Sequence, residues 1–532
     1  MSSENVEVTV TPAAPLRPVP NQNYLLLDVE DNPKEPYQWV LFPVQHVLAM
    51  LVACITVPLL TGLPVPATLV SAGLGTLFYH FVTRRKSPVF LSSSFAYLAP
   101  MQSAMAIGLM HDAGGKNYLA LIIGMLLVCI IYLIIALVVN FVGTSWLHKI
   151  LPPLVVGPII MVIGLSLAGS AIANLTTNGS GQDADYNWVC IISGMIAMLV
   201  TAFTAHYGKG TLQLIPFVLG MGAGYIFALI MTGIGYGADS DYMKVVNFDP
   251  FKHTFGKDYF SGASIFNYKM FVPNDAESFI FLRFDQIKEF DWSMIGEVIL
   301  LFAPVSLVTV CEHIGDHTNL GTIINRDLLN GEPGMHRTLT GDGVATAISG
   351  ILCGAANTTY GENEAVIGTT RVASVNVVTI AAILSVVIGF FTPFTALLET
   401  MPACVTGGVA LILYGFIASS GIKMLVLEQI DFNQTKNIFV SSVILVSGIG
   451  GFTWRFGKTM DPKVTITSLA VSMILGIVLN FVLIDRPAPQ DSSNNSSATE
   501  PRDQEMSTAV PPNETEEEPH EPVEEDEAQQ SV

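Results

Sequence analysis

The stretch Asn357-Thr358-Thr359-Tyr360-Gly361-Glu362-Asn363 sits between two long hydrophobic runs. Lipid offers no partner to a free backbone amide, so polar or irregular chain at membrane depth persists only where protein encloses it. A charged side chain at the bilayer centre costs roughly 2.5–3.5 kcal/mol on insertion scales. A polar, glycine-bearing insertion of this kind therefore marks an enclosed cavity, which is to say a binding site. Glu312, inside a second apolar run, carries the same implication. Together they point to a membrane transporter and to the place where it holds its cargo.

The rest of the chain supplies the membrane. Of 532 residues, 51% are hydrophobic and 13% charged, with a mean hydropathy of +0.52. Soluble domains carry about 25% charged residues, so this is a polytopic membrane protein. The formal net charge of −20 is largely a tail effect, because residues 491–532 hold 13 Asp or Glu against the single Arg502. That tail, with its run Glu514–Glu527, reads as disordered and solvated. Cys54, Cys129, Cys190, Cys311, Cys353 and Cys404 all lie in or beside apolar runs without a CxxC pair, and read as small packing residues. They imply neither a disulfide framework nor a zinc site. The first 38 residues lack a basic start followed by an apolar core, so the first span is expected to act as the insertion signal.

A helix needs about 20 apolar residues to cross a bilayer. Runs of that kind fall near 41–62, 66–83, 88–105, 118–142, 152–174, 187–206 and 211–235, then near 294–319, 340–356, 360–374, 376–395, 402–421, 437–454 and 463–485. The third and tenth are short or interrupted. This predicts an all-α fold of fourteen spans. Its divisions are an N-terminal segment 1–40, a first seven-span repeat 41–235, an outer loop 236–292, a second repeat 293–485 and the acidic tail 486–532. Arg84-Arg85-Lys86, Lys149, Lys209, Arg326, Arg337, Lys423 and Lys436 all follow even-numbered spans, which predicts that both termini are cytoplasmic. Seven spans per half place the second half in the opposite sense, an inverted repeat. Ser93-Ser94-Phe95-Ala96 in the third span resembles Thr358-Thr359-Tyr360-Gly361 in the tenth.

Glu312 and Asp316 are four residues apart and share a helix face. Burial and a like-charged neighbour both favour the protonated form, so a proton is expected on this pair for part of a transport cycle. Gly361 allows close approach of a ligand to the backbone. If a half-helix starts there, its free amides can donate to a ligand carbonyl. Glu362 can accept from ligand N–H groups, and Tyr360 or Phe95 can pack on a flat ring. Donors, acceptors and aromatic walls suit a small planar amide-like solute. No His and carboxylate cluster has metal-ligand spacing, no basic cluster lies within a span, and Gly220, Gly222 and Gly224 read as helix-packing glycines. No metal, cofactor or nucleic acid is implied. His46, beside Gln45 in the first span, reads first as a buried hydrogen-bonded histidine and second as a proton relay.

Gln45-His46-x-x-Ala49-Met50, Ser93 to Ala96, Glu312-His313-Ile314-Gly315, Asn357 to Asn363 and Leu413-Tyr414-Gly415 resemble the bacterial uracil permeases of the nucleobase/ascorbate transporter family, in order and spacing, over residues 40–485. The resemblance implies a core domain (spans 1–4 and 8–11) and a gate domain (spans 5–7 and 12–14). It also implies a short strand and half-helix in spans 3 and 10, elevator-like motion of the core, dimerisation through the gate, and uptake of uracil with a proton across the plasma membrane. By motif position, Glu312 and Glu362 would accept from the ring nitrogens, and the amides of Phe95 and Gly361 would donate to the carbonyls. Ala53, Tyr360 and Tyr414 would complete the pocket, and Asn363 and His46 would support it. Two positions depart from the uracil pattern: Asp316 stands in place of a histidine, and Glu364-Ala365 in place of an apolar residue and Gly. The added acid is expected either to perturb Glu362 or to pair with Arg371. The alternatives are a purine or xanthine carrier of the same family, an anion exchanger of similar architecture, which would want a base at the pocket, and an intramembrane enzyme, for which no nucleophile–base pair is visible.

Overall fold

Unbroken runs of Leu, Ile, Val and Ala fold as helices because a helix satisfies its own backbone groups where water is absent. The computed structural model describes residues 25–107, 117–178, 185–209, 215–249, 292–458 and 461–483, with 212, 251, 266 and 290. Most of the outer loop 236–292 and all of the tail 486–532 lie outside them. In chain order the helices are α1 (Gln38–Thr61), α2 (Val65–Val82), α3 (Leu98–Ala106), α4 (Tyr118–Val142), α5 (Ser145–Ile150), α6 (Pro153–Ser166), α7 (Ala168–Thr176), α8 (Trp188–Tyr207) and α9 (Pro216–Gly237). Beyond residue 292 come α10 (Ile295–Ile324), α11 (Met335–Ile351), α12 (Gly361–Thr370), α13 (Val375–Phe390), α14 (Thr392–Glu399), α15 (Ala403–Leu427), α16 (Thr435–Ile449) and α17 (Ser468–Val482). Among the described residues, eight helices are long and apolar enough to cross a membrane, and α13, α16 and α17 are shorter apolar helices.

The third and tenth runs are where the helical pattern breaks. Strand β1 (Leu91–Ser93) precedes α3, and another strand, Asn357–Thr359, precedes α12. The two pair antiparallel, with Leu91 opposite Thr359, Ser92 opposite Thr358 and Ser93 opposite Asn357. Each strand gives the other the hydrogen bonds that lipid cannot, which is why extended chain is tolerated in the interior. Some sequence boundaries shift. The eighth run extends to Ile324, where Asn325 adopts the left-handed conformation (φ 54°) and ends the helix. The last run starts late: 461–466 is a strand paired with Trp454–Lys458. The helix begins only at Ser468, where the Thr467 side chain accepts from the Ala470 amide.

Packing mixes the two halves of the chain. Helix α11 lies against α2 and α4, α13 against α2 and α1, and α10 against α4. In a second group, α15 lies against α6, α7 and α8, α16 against α6 and α17, and α9 against α8. Glycines permit the closest crossings. A Cβ at Gly194 of α8 would lie 2.4 Å from the Cys404 carbonyl of α15, and one at Gly408 would lie 2.1 Å from the Gly194 carbonyl.

Residues 25–33, read from sequence only as part of a cytoplasmic segment, form a strap along the link between α12 and α13. The amides of Leu26 and Leu27 donate to the Arg371 carbonyl, while those of Ala373 and Val375 donate to the carbonyls of Leu27 and Val29. Leu27 and Val29 are buried and Leu26 and Glu30 exposed, the alternation of a strand covered on one side. Outward-facing Asp28 pairs with Arg326 at 2.9 Å, and Glu30 pairs with Lys86.

Candidate functional site between two broken spans

The paired strands position everything else at the site. Asn357 anchors its strand: its side-chain Nδ2 donates to the Ser71 carbonyl at 3.0 Å, and its own carbonyl accepts from Thr346 Oγ1 at 2.5 Å. On the other strand, the Ser94 amide donates to the Ala356 carbonyl at 2.8 Å. Because the strands are antiparallel, α3 and α12 leave in opposite directions, each with its N-terminus at the strand pair. The unpaired amides of a helix start make such an end electropositive.

Tyr360 is the extended residue (φ −129°, ψ 100°) before α12, with no side-chain cap. Gly361 follows and is exposed; the nearest atom to a Cβ built there is Asp316 Oδ1 at 3.8 Å. The amide end of α12 thus opens on free space beside a carboxylate. Exposed Ala365 and Thr369 continue that open face along the half-helix.

Facing α12, helix α10 presents Glu312, Asp316 and Asn319 at successive turns. Asp316 Oδ2 accepts from Thr359 Oγ1 at 2.5 Å, and Glu364 Oε2 accepts from Asn319 Nδ2 at 3.1 Å. Glu312 lies within electrostatic reach of Asp316, Glu362 and Asp342. Its Oε2 is buried without a hydrogen-bond partner. Glu312, Asp316 and Glu362 are half-buried. Asn319, not Arg371, is the side chain that reaches Glu364.

The first half of the chain closes the site from the other side. His46 is 1% exposed and lies beside Asn363, also 1% exposed. The Tyr360 hydroxyl lies against the backbone of fully buried Ala53. Phe95, in the turn between β1 and α3, meets Tyr414 of α15 edge to face with ring centroids 5.9 Å apart. Glu312, Asp316, Tyr360, Gly361, Glu362, Asn363, His46 and Ala53 therefore gather at the start of α12. Phe95 and Tyr414 form an aromatic pair at the end of the strand that faces Asn357.

Sequence reasoning passed over a buried polar network behind the site. His313 bonds Asp342 Oδ2 through Nδ1 at 2.8 Å and Thr338 Oγ1 through Nε2 at 2.9 Å. His317 donates from Nδ1 to the His313 carbonyl at 2.8 Å, and its Nε2 lies 2.7 Å from the Tyr79 hydroxyl. That hydroxyl in turn contacts Ser87 at 3.0 Å. The two imidazoles stack with centroids 4.0 Å apart. The four-residue spacing of His313 and His317, and a lone Asp342 inside an apolar run, were the available signals.

The Permease family matches residues 37–456. The chain belongs to that family, the nucleobase/ascorbate transporters. Relatives in it include the uracil permease of Bacillus caldolyticus, 37% identical over 87% of this chain and 96% of the relative. The uracil permease of Bacillus subtilis (strain 168) is 35% identical over 86% and 95%, and that of Escherichia coli (strain K12) 30% identical over 84% and 91%. With permeases as its relatives and apolar helices throughout, the chain is a multi-pass membrane transporter rather than an enzyme. Among solved structures, the transmembrane domain of the cyanobacterium bicarbonate transporter BicA superposes with a TM-score of 0.55 at 12% identity, covering 85% of this chain and 99% of that one. The murine anion transporter Slc26a9 gives 0.54 at 11% identity, covering 85% and 69%. At such identities the likeness is one of fold.

Proposed function

We propose that this permease takes up uracil together with a proton across the plasma membrane. The observation that carries the reading is the open start of α12, where exposed Gly361 stands beside Glu362, with Glu312 within electrostatic reach. Uracil presents two ring N–H donors and two carbonyl acceptors. Glu312 and Glu362 accept from the former, and the amides of Gly361 and Phe95 donate to the latter. Ala53, Tyr360 and Tyr414 wall the ring, with Asn363 and His46 in support. The uracil permeases at 30–37% identity favour the same cargo.

Several buried or half-buried acids share one site, and no Lys or Arg is hydrogen-bonded to them among the described residues. Moving such a group through a low-dielectric barrier with its charges intact is costly, so Glu312 or Asp316 takes a proton from outside before the site closes. Uracil and the proton then leave together inside. Counting the eight long helices, the three shorter ones, α11 and the two broken spans gives the fourteen crossings of this reading. The group around α1–α4 and α10–α13 serves as the core and the group around α6–α9 and α15–α17 as the gate. The core moves against the gate as an elevator, the gate joins two copies in a dimer, and both termini are cytoplasmic.

The test is labelled uracil uptake into proteoliposomes with an acid exterior. Uptake should exceed that at equal pH and collapse with a protonophore, and 5-fluorouracil should compete where xanthine does not. Uptake indifferent to the gradient removes the proton; competition by xanthine alone turns the reading toward a purine carrier.

A further inference from the structure

Glu364 is the acid for which binding leaves no task. It is 1% exposed, and among the described residues the one hydrogen bond to its carboxylate comes from the neutral amide of Asn319. Oε1 is buried without a partner. An ionised carboxylate held by one neutral donor is poorly stabilised away from water, whereas a carboxyl that gains and loses a proton is suited to that setting. Its place on the element is equally specific. Along α10, Glu312, Asp316 and Asn319 descend by successive turns, and Asp316 and Asn319 are tied to Thr359 and Glu364 of the facing segment. Glu364 thus stands one step past Asp316, between the site and Asn319, which is exposed.

The charged and titratable groups around it come from every neighbouring element. Asp316 of α10, Glu362 of α12 itself and Lys423 of α15 act on Glu364, and Glu364 acts on Tyr79 of α2. Lys423 is exposed. Glu364 is therefore within reach of the acids of the site and of an exposed cation on another helix, a setting in which its proton can be exchanged.

We propose that Glu364 is the exit station of the coupled proton. The Asp316 carboxyl passes its proton to the Glu364 carboxylate, Asp316 becomes anionic, and Glu364 then releases the same proton to water past Asn319. The inference rests on the symport reading above and adds a route to it.

The experiment compares two modes in proteoliposomes. Net uracil uptake driven by an acid exterior requires the proton to leave inside. Exchange of labelled for unlabelled uracil does not, because the loaded carrier can return with its proton. Glu364→Gln should keep exchange within about twofold of wild type, lower net uptake about tenfold or more, and flatten its dependence on internal pH. Full net uptake with an unchanged pH profile overturns the relay. Equal loss of both modes in a monodisperse, thermally stable variant also overturns it, since Glu364 would then serve binding. If Glu364→Gln does not fold, Asn319→Leu takes its place, with slower net uptake and retained exchange expected, and equal loss of both again overturning. A wild-type rate indifferent to the gradient sinks the symport reading itself, and the relay with it, whereas a gradient-driven wild type beside an unaffected variant sinks the relay alone.

Discussion

At the scale of single residues, the proposed binding mode turns on one acid and one glycine. Glu312 keeps one oxygen free of hydrogen bonds while buried, the state of an acceptor waiting for a donor. Replacing it in Glu312→Gln preserves shape but removes both the charge and the proton. Hydrogen bonds to charged groups are worth about 1.5–3 kcal/mol, so uracil affinity should fall roughly 10- to 100-fold, proton-driven uptake should vanish, and thermal stability should hold. Undiminished gradient-driven uptake in that variant would remove Glu312 from the mechanism. Gly361 offers a complementary test, because a Cβ there meets nothing nearer than 3.8 Å. Gly361→Ala should therefore leave folding intact. On the proposed binding mode it places a methyl where the ligand carbonyl would approach the amide, and uracil binding should weaken by about tenfold, read by competition or calorimetry on purified protein.

At the scale of elements, two devices let irregular backbone and tight crossings exist in an apolar molecule. The strand pair Leu91–Ser93 with Asn357–Thr359 satisfies extended chain and aims two helix starts at the same place. The crossing of α8 and α15 depends on glycine: a side chain at Gly194 would meet Leu175 Cδ1 at 2.1 Å and the Cys404 carbonyl at 2.4 Å. Overpacking of this kind costs about 1–3 kcal/mol, and more where backbone must move. Gly194→Val should lower the thermal midpoint in detergent, while Gly233→Val, with nothing within 4 Å, should not. The strap at 25–33 belongs at this scale too. Its alternation of buried Leu27 and Val29 with exposed Leu26 and Glu30 is plain once its partner segment is known. The run itself is too short and too mixed for the pattern to stand out.

At the scale of the whole molecule, two groups of helices share the chain, and each takes members from both halves. If one moves against the other, joining them must stop transport. A Cβ at Gly315 of α10 would lie 3.4 Å from Met424 Cε of α15, so Gly315→Cys with Met424→Cys can be bridged by a short reducible cross-linker. Uptake should cease on bridging and return on reduction, with each single variant unaffected by the reagent. Transport that persists in fully bridged protein would show that the cycle needs no such motion.

The sequence alone placed the chain in the bilayer, marked the two interrupted runs, and picked out Glu312, Asp316 and the stretch from Tyr360 to Asn363. Those conclusions follow from transfer free energies, which each segment expresses by its own composition wherever it packs. Only the tertiary structure decided what each of these groups faces: Thr359 on Asp316, Asn319 rather than Arg371 on Glu364, His313 on Asp342, the strap on Val372 to Val375. Such pairings join residues brought together by packing rather than by local pattern, and no local propensity encodes which polar group will meet which.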